Sequence, residues 1–225
     1  MDILLIGGLW LDGSAWDKVV PALDKLGHRA VPVNLPAAPS ATLDDQVAAV
    51  LAAVDAASGR PVVAGHSAAC TLAWVAADRH PERIAATVLI GGFPVADGGR
   101  YFSGLEIRDG VIPFPGWAEF EGPDSADLDS GLRRAIEAAA VPVPEGVANG
   151  TVRLRDERRF DVPVTVVCPE FSPAQARTWI DAGQIPELAR ARHLDLVDID
   201  SGHWPMFTRP DELARVLAAV AAGRA

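Results

Sequence analysis

The chain has 225 residues and 49% of them are hydrophobic, which is enough for one domain with a sizeable core. It carries 20 lysines and arginines against 30 aspartates and glutamates. The formal net charge of −10 argues against nucleic acid or an anionic membrane surface as a partner. We therefore expect a small-molecule substrate as the main partner.

The N-terminal sequence indicates the cellular location of the protein, and its cysteines and histidines indicate whether it binds a metal. MDILLIGGLW has an acid at position 2 and a short apolar run, unlike the basic start and long apolar stretch of a signal peptide. No segment is long enough to span a bilayer. Two cysteines cannot build a disulfide framework, and five scattered histidines show no metal-ligand spacing. We expect a cytoplasmic protein that uses neither a metal nor another cofactor.

Short apolar runs alternate with longer segments rich in alanine and leucine. The runs predict six buried strands, in DILLIGG, RAVPVNL, RPVVAGH, ATVLIGG, VPVTVVC and LDLVDID. Helices are predicted between most of them. ATLDDQVAAVLAAVDAA begins with Thr42 as its N-cap and Asp45 three residues later, and AACTLAWVAADRH ends before Pro81. This alternation is typical of an α/β fold with a mostly parallel, doubly wound sheet.

The alternation stops between residues 101 and 160, where glycine, proline and acids become frequent. One helix is predicted there, in SADLDSGLRRAIEAAA. We divide the chain into a core, residues 1–100 and 161–225, and a small cap insertion, residues 101–160, that lies over the sheet. Its aromatic side chains could line a pocket or could pack the insertion onto the core: Tyr101, Phe102, Phe114, Trp117 and Phe120.

In VVAGHSAACTLAW, Ser67 lies where a predicted strand turns directly into a predicted helix. Strand and helix nearly touch at so sharp a turn, and the residues two before and two after the serine, Gly65 and Ala69, are suitably small. The turn would hold the hydroxyl at the carboxyl end of the sheet, with the helix N-terminus and the Ala68 N–H directed at the same point. That arrangement suits a nucleophile beside a developing oxyanion.

This turn resembles the G-x-S-x-G motif of the α/β-hydrolase superfamily, with Ala69 in place of the last glycine. A serine hydroxyl is a poor nucleophile until a base takes its proton, and the superfamily carries that base late in the chain. LDLVDIDSGHWPMFTRPDELARVLAAV resembles the terminal G-H loop of the superfamily and implies that His203 is the base. The following helix is predicted to start at Thr208, with Asp211 completing a capping box.

The other histidines are not candidates for the base. His28, His80 and His193 fall at element boundaries beside charged or proline residues, where a surface role is expected. His66 is next to the serine in sequence, but strand alternation predicts that its side chain points elsewhere.

A third residue, a carboxylate, should orient the histidine and stabilise its charged form. The resemblance implies an acid after the penultimate strand, and Glu170 follows VPVTVVC there, just before a helix capped by Ser172. Relatives place an aspartate one residue later, where this chain has Phe171. Glu170 is favoured because its longer side chain could reach from the earlier position. Asp97, after TVLIGGFPV, is the alternative acid.

The opening LLIGGLWLDGSAWDKVVPAL resembles that of plant-type esterases and hydroxynitrile lyases. By this resemblance the N–H groups of Leu9 and Ala68 form the oxyanion hole, although Gly7 stands where the relatives have a histidine. The alternative is a plain turn at the end of a strand. The side chains expected to contact the substrate are Trp10, Phe93, Phe114, Trp117 and Trp204.

Taken together, the resemblance implies a serine hydrolase in which Ser67 attacks a carboxylic ester, thioester or lactone and water resolves the acyl-enzyme. Two alternatives stay open. One is a hydroxynitrile-lyase or perhydrolase reaction on the same triad, and the other is a ligand-binding protein that keeps the triad for recognition. A homodimer is left open as the oligomeric state.

Overall fold

Strands and helices alternate along most of the computed structural model, which describes residues 1–223. The strands are β1 (Asp2–Ile6), β2 (Arg29–Pro32), β3 (Val62–His66), β4 (Ala86–Ile90), β5 (Val111–Ile112), β6 (Val143–Pro144), β7 (Val164–Cys168) and β8 (Leu194–Asp198). The helices are α1 (Val19–Lys25), α2 (Leu43–Ala56), α3 (Cys70–Arg79), α4 (Ser130–Ala139), α5 (Glu145–Ala148), α6 (Pro173–Asp181), α7 (Pro205–Thr208) and α8 (Pro210–Ala221).

Six of the strands form one parallel sheet in the order β2-β1-β3-β4-β7-β8, and each lies in one of the predicted apolar runs. The predicted α/β class with a mostly parallel, doubly wound sheet is confirmed. Ile6 pairs with Gly65, which in turn pairs with Leu89, so β1, β3 and β4 end at nearly the same level. This level edge is where the candidate site lies.

Alternate residues of each central strand enter two different cores. In β1, Leu4 and Ile6 belong to the core that includes residues of α2, α3 and α6, whereas Ile3 and Leu5 belong to the core that includes residues of α1 and α8. All residues of β1, β3, β4 and β7 are buried. A strand covered on both faces favours apolar side chains on both, which explains why these runs are largely continuous rather than alternating. The buried polar exceptions in them are Asp2, His66, Thr87 and Thr165.

Two of the three predicted helix starts are correct. Thr42 Oγ1 accepts the Asp45 N–H at 3.2 Å while Asp45 Oδ2 accepts the Thr42 N–H at 2.9 Å, and Ser172 caps α6 with Pro173 as its first residue. The capping box predicted from Thr208 to Asp211 is wrong. Thr208 is the last residue of α7, and α8 begins at Pro210. Proline cannot sit inside a helix without losing a hydrogen bond, so Pro210 separates the two.

The insertion, residues 101–160, holds α4 where a helix was predicted, together with α5 and the antiparallel pair β5 and β6. It contacts loops at the carboxyl edge of the sheet. The Val141 N–H donates to the Trp10 carbonyl at 2.9 Å, and the His203 N–H donates to the Asp124 carbonyl at 2.7 Å. The insertion therefore lies against the edge where the strands carrying the candidate residues end.

Candidate active site

Ser67 follows the last residue of β3 and opens a short 3₁₀ turn that leads into α3. Its φ of 54° is in the left-handed region, which a serine adopts only where the surrounding structure enforces it. Gly65 allows the turn, because a Cβ there would lie 2.2 Å from the Ala69 carbonyl oxygen. The strained turn presents the Ser67 side chain at the carboxyl edge of the sheet.

The loop after β1 passes directly beside this turn. A Cβ on Gly8 would lie 2.9 Å from Ser67 Cβ and 2.8 Å from His66 Nδ1, so only glycine permits the approach. The chain then turns sharply: Trp10 has a φ of 63°, and the Leu11 N–H donates to the Gly8 carbonyl at 3.2 Å. Leu9 lies within this tight turn, next to the serine.

The structure brings Ser67, His203 and Glu170 into one hydrogen-bonded chain. His203 Nε2 lies 3.0 Å from Ser67 Oγ, and His203 Nδ1 lies 2.7 Å from Glu170 Oε1. A carboxylate can only accept, so Nδ1 carries the proton and Nε2 is free to accept the serine O–H. The imidazole and carboxylate side chains are 13% and 15% exposed. Such partial burial keeps most water away while leaving the serine side open.

The two candidate acids, in the loops after β4 and β7, have different partners in the structure. Asp97 Oδ1 accepts the Leu154 N–H at 2.8 Å, so that carboxylate holds the insertion and not the histidine. Glu170 reaches His203 from one residue before the position that relatives use. Phe171, at that position, instead packs against Phe93, with ring centroids 5.3 Å apart. The longer glutamate side chain compensates for the shift of one residue.

A cavity of about 460 Å³ opens beside Ser67. Leu9 and Ala68 line it together with the serine. N–H groups in the first turn of a helix have no partner within the helix, which leaves such donors available at Ala68. The aromatic and aliphatic lining includes Trp10, Phe93, Val95, Tyr101, Phe102 and Phe120. Among the described residues, neither lysine nor arginine lines the cavity, and Glu119 is the charged residue that does.

The five side chains expected to contact the substrate fall into two groups. Trp10 and Phe93 line the cavity, whereas Phe114, Trp117 and Trp204 are not among the lining residues. Phe114 and Trp117 pack on each other at 5.2 Å, and Trp204, which is 4% exposed, packs edge-on against Trp117 at 5.4 Å. These three aromatics hold the insertion against the core instead of facing the cavity.

His66 is closer to the site than strand alternation indicates. Its ring is buried, with its centroid 4.8 Å from that of His203, and its Nε2 lies 2.8 Å from the His203 carbonyl oxygen. Burial, reinforced by the nearby His203, holds the pKa of His66 well below 6.5. A neutral His66 therefore donates from Nε2 to that carbonyl. No local pattern predicts this contact, because the loop of His203 reaches the end of β3 only in the folded chain.

Asp124 is a further acid near the site that sequence reasoning missed. Burial raises the pKa of this carboxyl; the charge of His203 acts to lower that pKa and the charge of Glu170 to raise it.

The two cysteines are poor candidates for a nucleophile. Both are buried, and burial raises the pKa of the Cys168 thiol to about 12 and that of Cys70 further. Thiols that stay protonated are weak nucleophiles, which leaves Ser67 as the nucleophile candidate.

Within residues 1–223, no group of three or more histidine, cysteine, aspartate or glutamate side chains is arranged to hold a metal ion. Over the same residues, none of the helices combines the length and the apolar character needed to cross a membrane.

A parallel six-stranded sheet with a serine at the sharp turn after β3 and a histidine after β8 defines the α/β-hydrolase class of fold. The model of the alpha/beta hydrolase family matches residues 3–216, and the chain therefore belongs to this family. The resemblance seen in the sequence is confirmed. No curated protein shows significant similarity to the chain.

Solved structures with this fold include several hydrolases. An extracellular alpha/beta-hydrolase from a Paenibacillus species, which shares homology with tobacco salicylic acid binding protein 2, is 18% identical with a TM-score of 0.79, and each chain is covered fully. A methylesterase from Arabidopsis is 14% identical with a TM-score of 0.78, over 99% of both chains. A pyrethroid hydrolase from Sphingobium faniae is 20% identical with a TM-score of 0.72, over 99% of this chain and 98% of that one. At these identities the likeness establishes the fold.

Proposed function

We propose that the chain is a serine hydrolase that cleaves a carboxylic ester, thioester or lactone of a small molecule without a negatively charged group. The observation that carries the proposal is the hydrogen-bonded chain from Ser67 through His203 to Glu170, at 3.0 and 2.7 Å. Nucleophile, base and orienting acid stand in the order that acyl transfer requires, at distances that allow proton transfer.

The first half of the reaction forms an acyl-enzyme. Ser67 Oγ attacks the carbonyl carbon while its proton passes to His203 Nε2, and the Glu170 carboxylate stabilises the imidazolium through Nδ1–H. The N–H groups of Leu9 and Ala68 stabilise the oxyanion of the tetrahedral intermediate. When that intermediate collapses, the bond from the carbonyl carbon to the leaving oxygen or sulfur breaks, and His203 donates its proton to the leaving group.

The second half regenerates the enzyme. Water attacks the acyl carbon as His203 Nε2 takes one of its protons, and a second oxyanion forms in the same place. Collapse breaks the bond to Ser67 Oγ, and the serine recovers its proton from His203. Each cycle consumes one substrate and one water; an ester gives an acid and an alcohol, a thioester an acid and a thiol, and a lactone a single hydroxy acid.

The cavity disfavours an anionic substrate. Its lining is mainly aromatic and aliphatic, its charged side chain among the described lining residues is the acid Glu119, and without a lysine or arginine there it offers no counter-charge to a carboxylate or phosphate. A hydroxynitrile-lyase reaction would be favoured by a lysine at the pocket, so the same lining supports hydrolysis over that alternative. A methylesterase and a pyrethroid hydrolase among the chains of the same fold fit ester cleavage.

A fluorophosphonate probe tests the proposal directly. We expect covalent labelling of the wild-type protein on the peptide that contains Ser67, and loss of labelling in Ser67→Ala. Ser103→Ala is the matched control, because Ser103 lines the same cavity and its hydroxyl has no hydrogen bond to a histidine among the described residues, so this variant should still be labelled at Ser67.

A graded series of p-nitrophenyl esters then measures turnover. We expect His203→Ala to lower kcat by about 10³-fold or more, as loss of a triad member does. Labelling that persists in Ser67→Ala would move the nucleophile elsewhere. A wild-type protein that binds esters without turnover would instead indicate a receptor that keeps the triad for recognition.

A further inference from the structure

The loop that carries His203 is held by the insertion at consecutive residues. The Gly202 N–H donates to Asp127 Oδ2 at 2.9 Å, and Ser201 Oγ lies 3.2 Å from the same carboxylate oxygen. The next N–H, that of His203, donates to the Asp124 carbonyl at 2.7 Å. The backbone just before the imidazole therefore rests on the insertion and not on the sheet.

The contact is close as well as hydrogen-bonded. A Cβ on Gly202 would lie 2.4 Å from the Asp124 carbonyl oxygen and 2.5 Å from Asp127 Oδ1. Only glycine lets the loop come this near. The Asp127 carboxylate is half-buried, and hydrogen bonds from N–H groups to an ionised acceptor are stronger than neutral ones. Removing this acceptor would leave the Gly202 N–H without its partner.

The segment that presents Asp127 is itself rigidly held. Arg133 of α4 reaches back along it, donating from Nη2 to the Ser125 carbonyl at 2.7 Å and from Nε to the Leu128 carbonyl at 3.2 Å. Ser125 is fully buried and donates through Oγ to the Phe120 carbonyl at 2.7 Å. These hydrogen bonds hold the backbone of the segment that carries the Asp127 carboxylate.

The backbone N–H and C=O of His203 are both hydrogen-bonded, each to a different part of the chain. The insertion accepts the N–H through Asp124, and His66 of the core donates to the C=O at 2.8 Å. The imidazole has to keep Nε2 toward Ser67 and Nδ1 toward Glu170 at the same time. An error of about 1 Å in such an arrangement can cost about 10²-fold in rate.

Resting on the proposed function, we propose that Asp127 is a positioning residue for His203. Its carboxylate fixes the backbone at Gly202, and through it the orientation of the imidazole between Ser67 and Glu170. Asp127 does not line the described cavity and is not proposed to touch the substrate. Its loss should therefore affect kcat and leave KM nearly unchanged.

The test compares Asp127→Ala with Asp129→Ala on a p-nitrophenyl ester. Asp129 is the matched control, because it lies in the same segment and caps α4 through the Leu132 N–H at 2.8 Å without a contact to the histidine loop among the described residues. We expect Asp127→Ala to lower kcat by about 10- to 100-fold with KM within about twofold, and Asp129→Ala to lower the melting temperature but not kcat. Asp127→Asn keeps an oxygen acceptor and should recover most of the lost kcat.

Gly202→Ala provides a second route to the same contact, which matters if Asp127→Ala does not fold. Its Cβ would push the loop away from Asp124 and Asp127 while leaving both in place, and kcat should fall again with KM unchanged. Wild-type kcat in a folded Asp127→Ala or in Gly202→Ala would overturn the proposal, as would equal losses in the Asp127 and Asp129 variants. If instead wild type and Ser67→Ala behave alike toward the ester, the proposed function itself has failed.

Discussion

The central sheet and the insertion follow different local rules. In β1, β3, β4 and β7 all residues are buried, and each strand is largely apolar. In residues 101–160 the strands are two residues long, and α4, the longest helix there, buries only Ile136. The insertion therefore depends on contacts with the core and among its own aromatics more than on regular elements.

The core and the insertion contribute different parts of the candidate site. The sheet places Ser67, Glu170 and His203 after β3, β7 and β8, because parallel strands end at a common edge. The insertion closes the cavity with Tyr101, Phe102 and Phe120. We infer that changes at the ends of the core strands alter kcat, while changes in the cavity wall of the insertion alter substrate binding.

After the loss of His203 itself, the largest effect should come from the acid at the end of β7. Glu170→Gln keeps size and hydrogen bonding but removes the charge that stabilises the imidazolium, so kcat should fall by about 10²-fold or more with the fold intact. Asp97→Asn is the control, since Asp97 bonds the Leu154 N–H instead of the histidine, and its kcat should stay close to wild type. Steady-state kinetics on a p-nitrophenyl ester measures both. The reverse ranking would assign the acid to the loop after β4.

A smaller effect should come from the cavity wall. Phe120→Ala removes a lining side chain worth about 1.5–3 kcal/mol of apolar contact when fully buried, so KM for an ester with a large apolar acyl group should rise by about 10-fold. Phe114→Ala is the matched control, because Phe114 packs on Trp117 and Phe120 without lining the cavity. Both variants should lose stability, and only Phe120→Ala should change KM. Equal KM values in the two would mean that the substrate does not lie against the insertion.

The smallest effect should come from His66 in the core, and it concerns the pH dependence of the free energy of unfolding. Its folded pKa is well below 6.5, so the unfolded chain binds a proton below that pH that the folded chain does not. The contribution of His66 to the free energy of unfolding is therefore fully present above pH 6.5. Below that pH the free energy of unfolding falls as the pH drops, with a slope from His66 of at most about 1.4 kcal/mol per pH unit.

Urea unfolding between pH 7 and pH 5 measures this slope. His66→Gln should flatten it, because glutamine can still donate to the His203 carbonyl but does not titrate. His193→Gln, which replaces an exposed histidine, should leave it unchanged. An unaltered slope in His66→Gln would assign the acid sensitivity to other groups, among them His28, whose pKa is also lowered by burial.

Much of the core was predictable because its signals are local. The run before Ser67 is apolar since β3 is covered on both faces, and Gly65 and Ala69 are small since strand and helix almost touch there. The Thr42 cap of α2 is equally local, as its partner Asp45 lies three residues away. The start of α8 was missed because two prolines divide that segment into two helices.

The sequence by itself determined the parallel α/β class, the turn at Ser67 and the family resemblance, since each depends on residues close together in the chain. Only the tertiary structure decided that Glu170 and not Asp97 reaches His203, that Phe120 and not Trp117 lines the cavity, and that Asp127 holds Gly202. These choices join residues far apart in the chain, and they depend on how irregular loops of the insertion and the sheet edge pack together. Such loops carry no periodic pattern, so their contacts arise from shape and hydrogen-bond partners that exist only once the chain has folded.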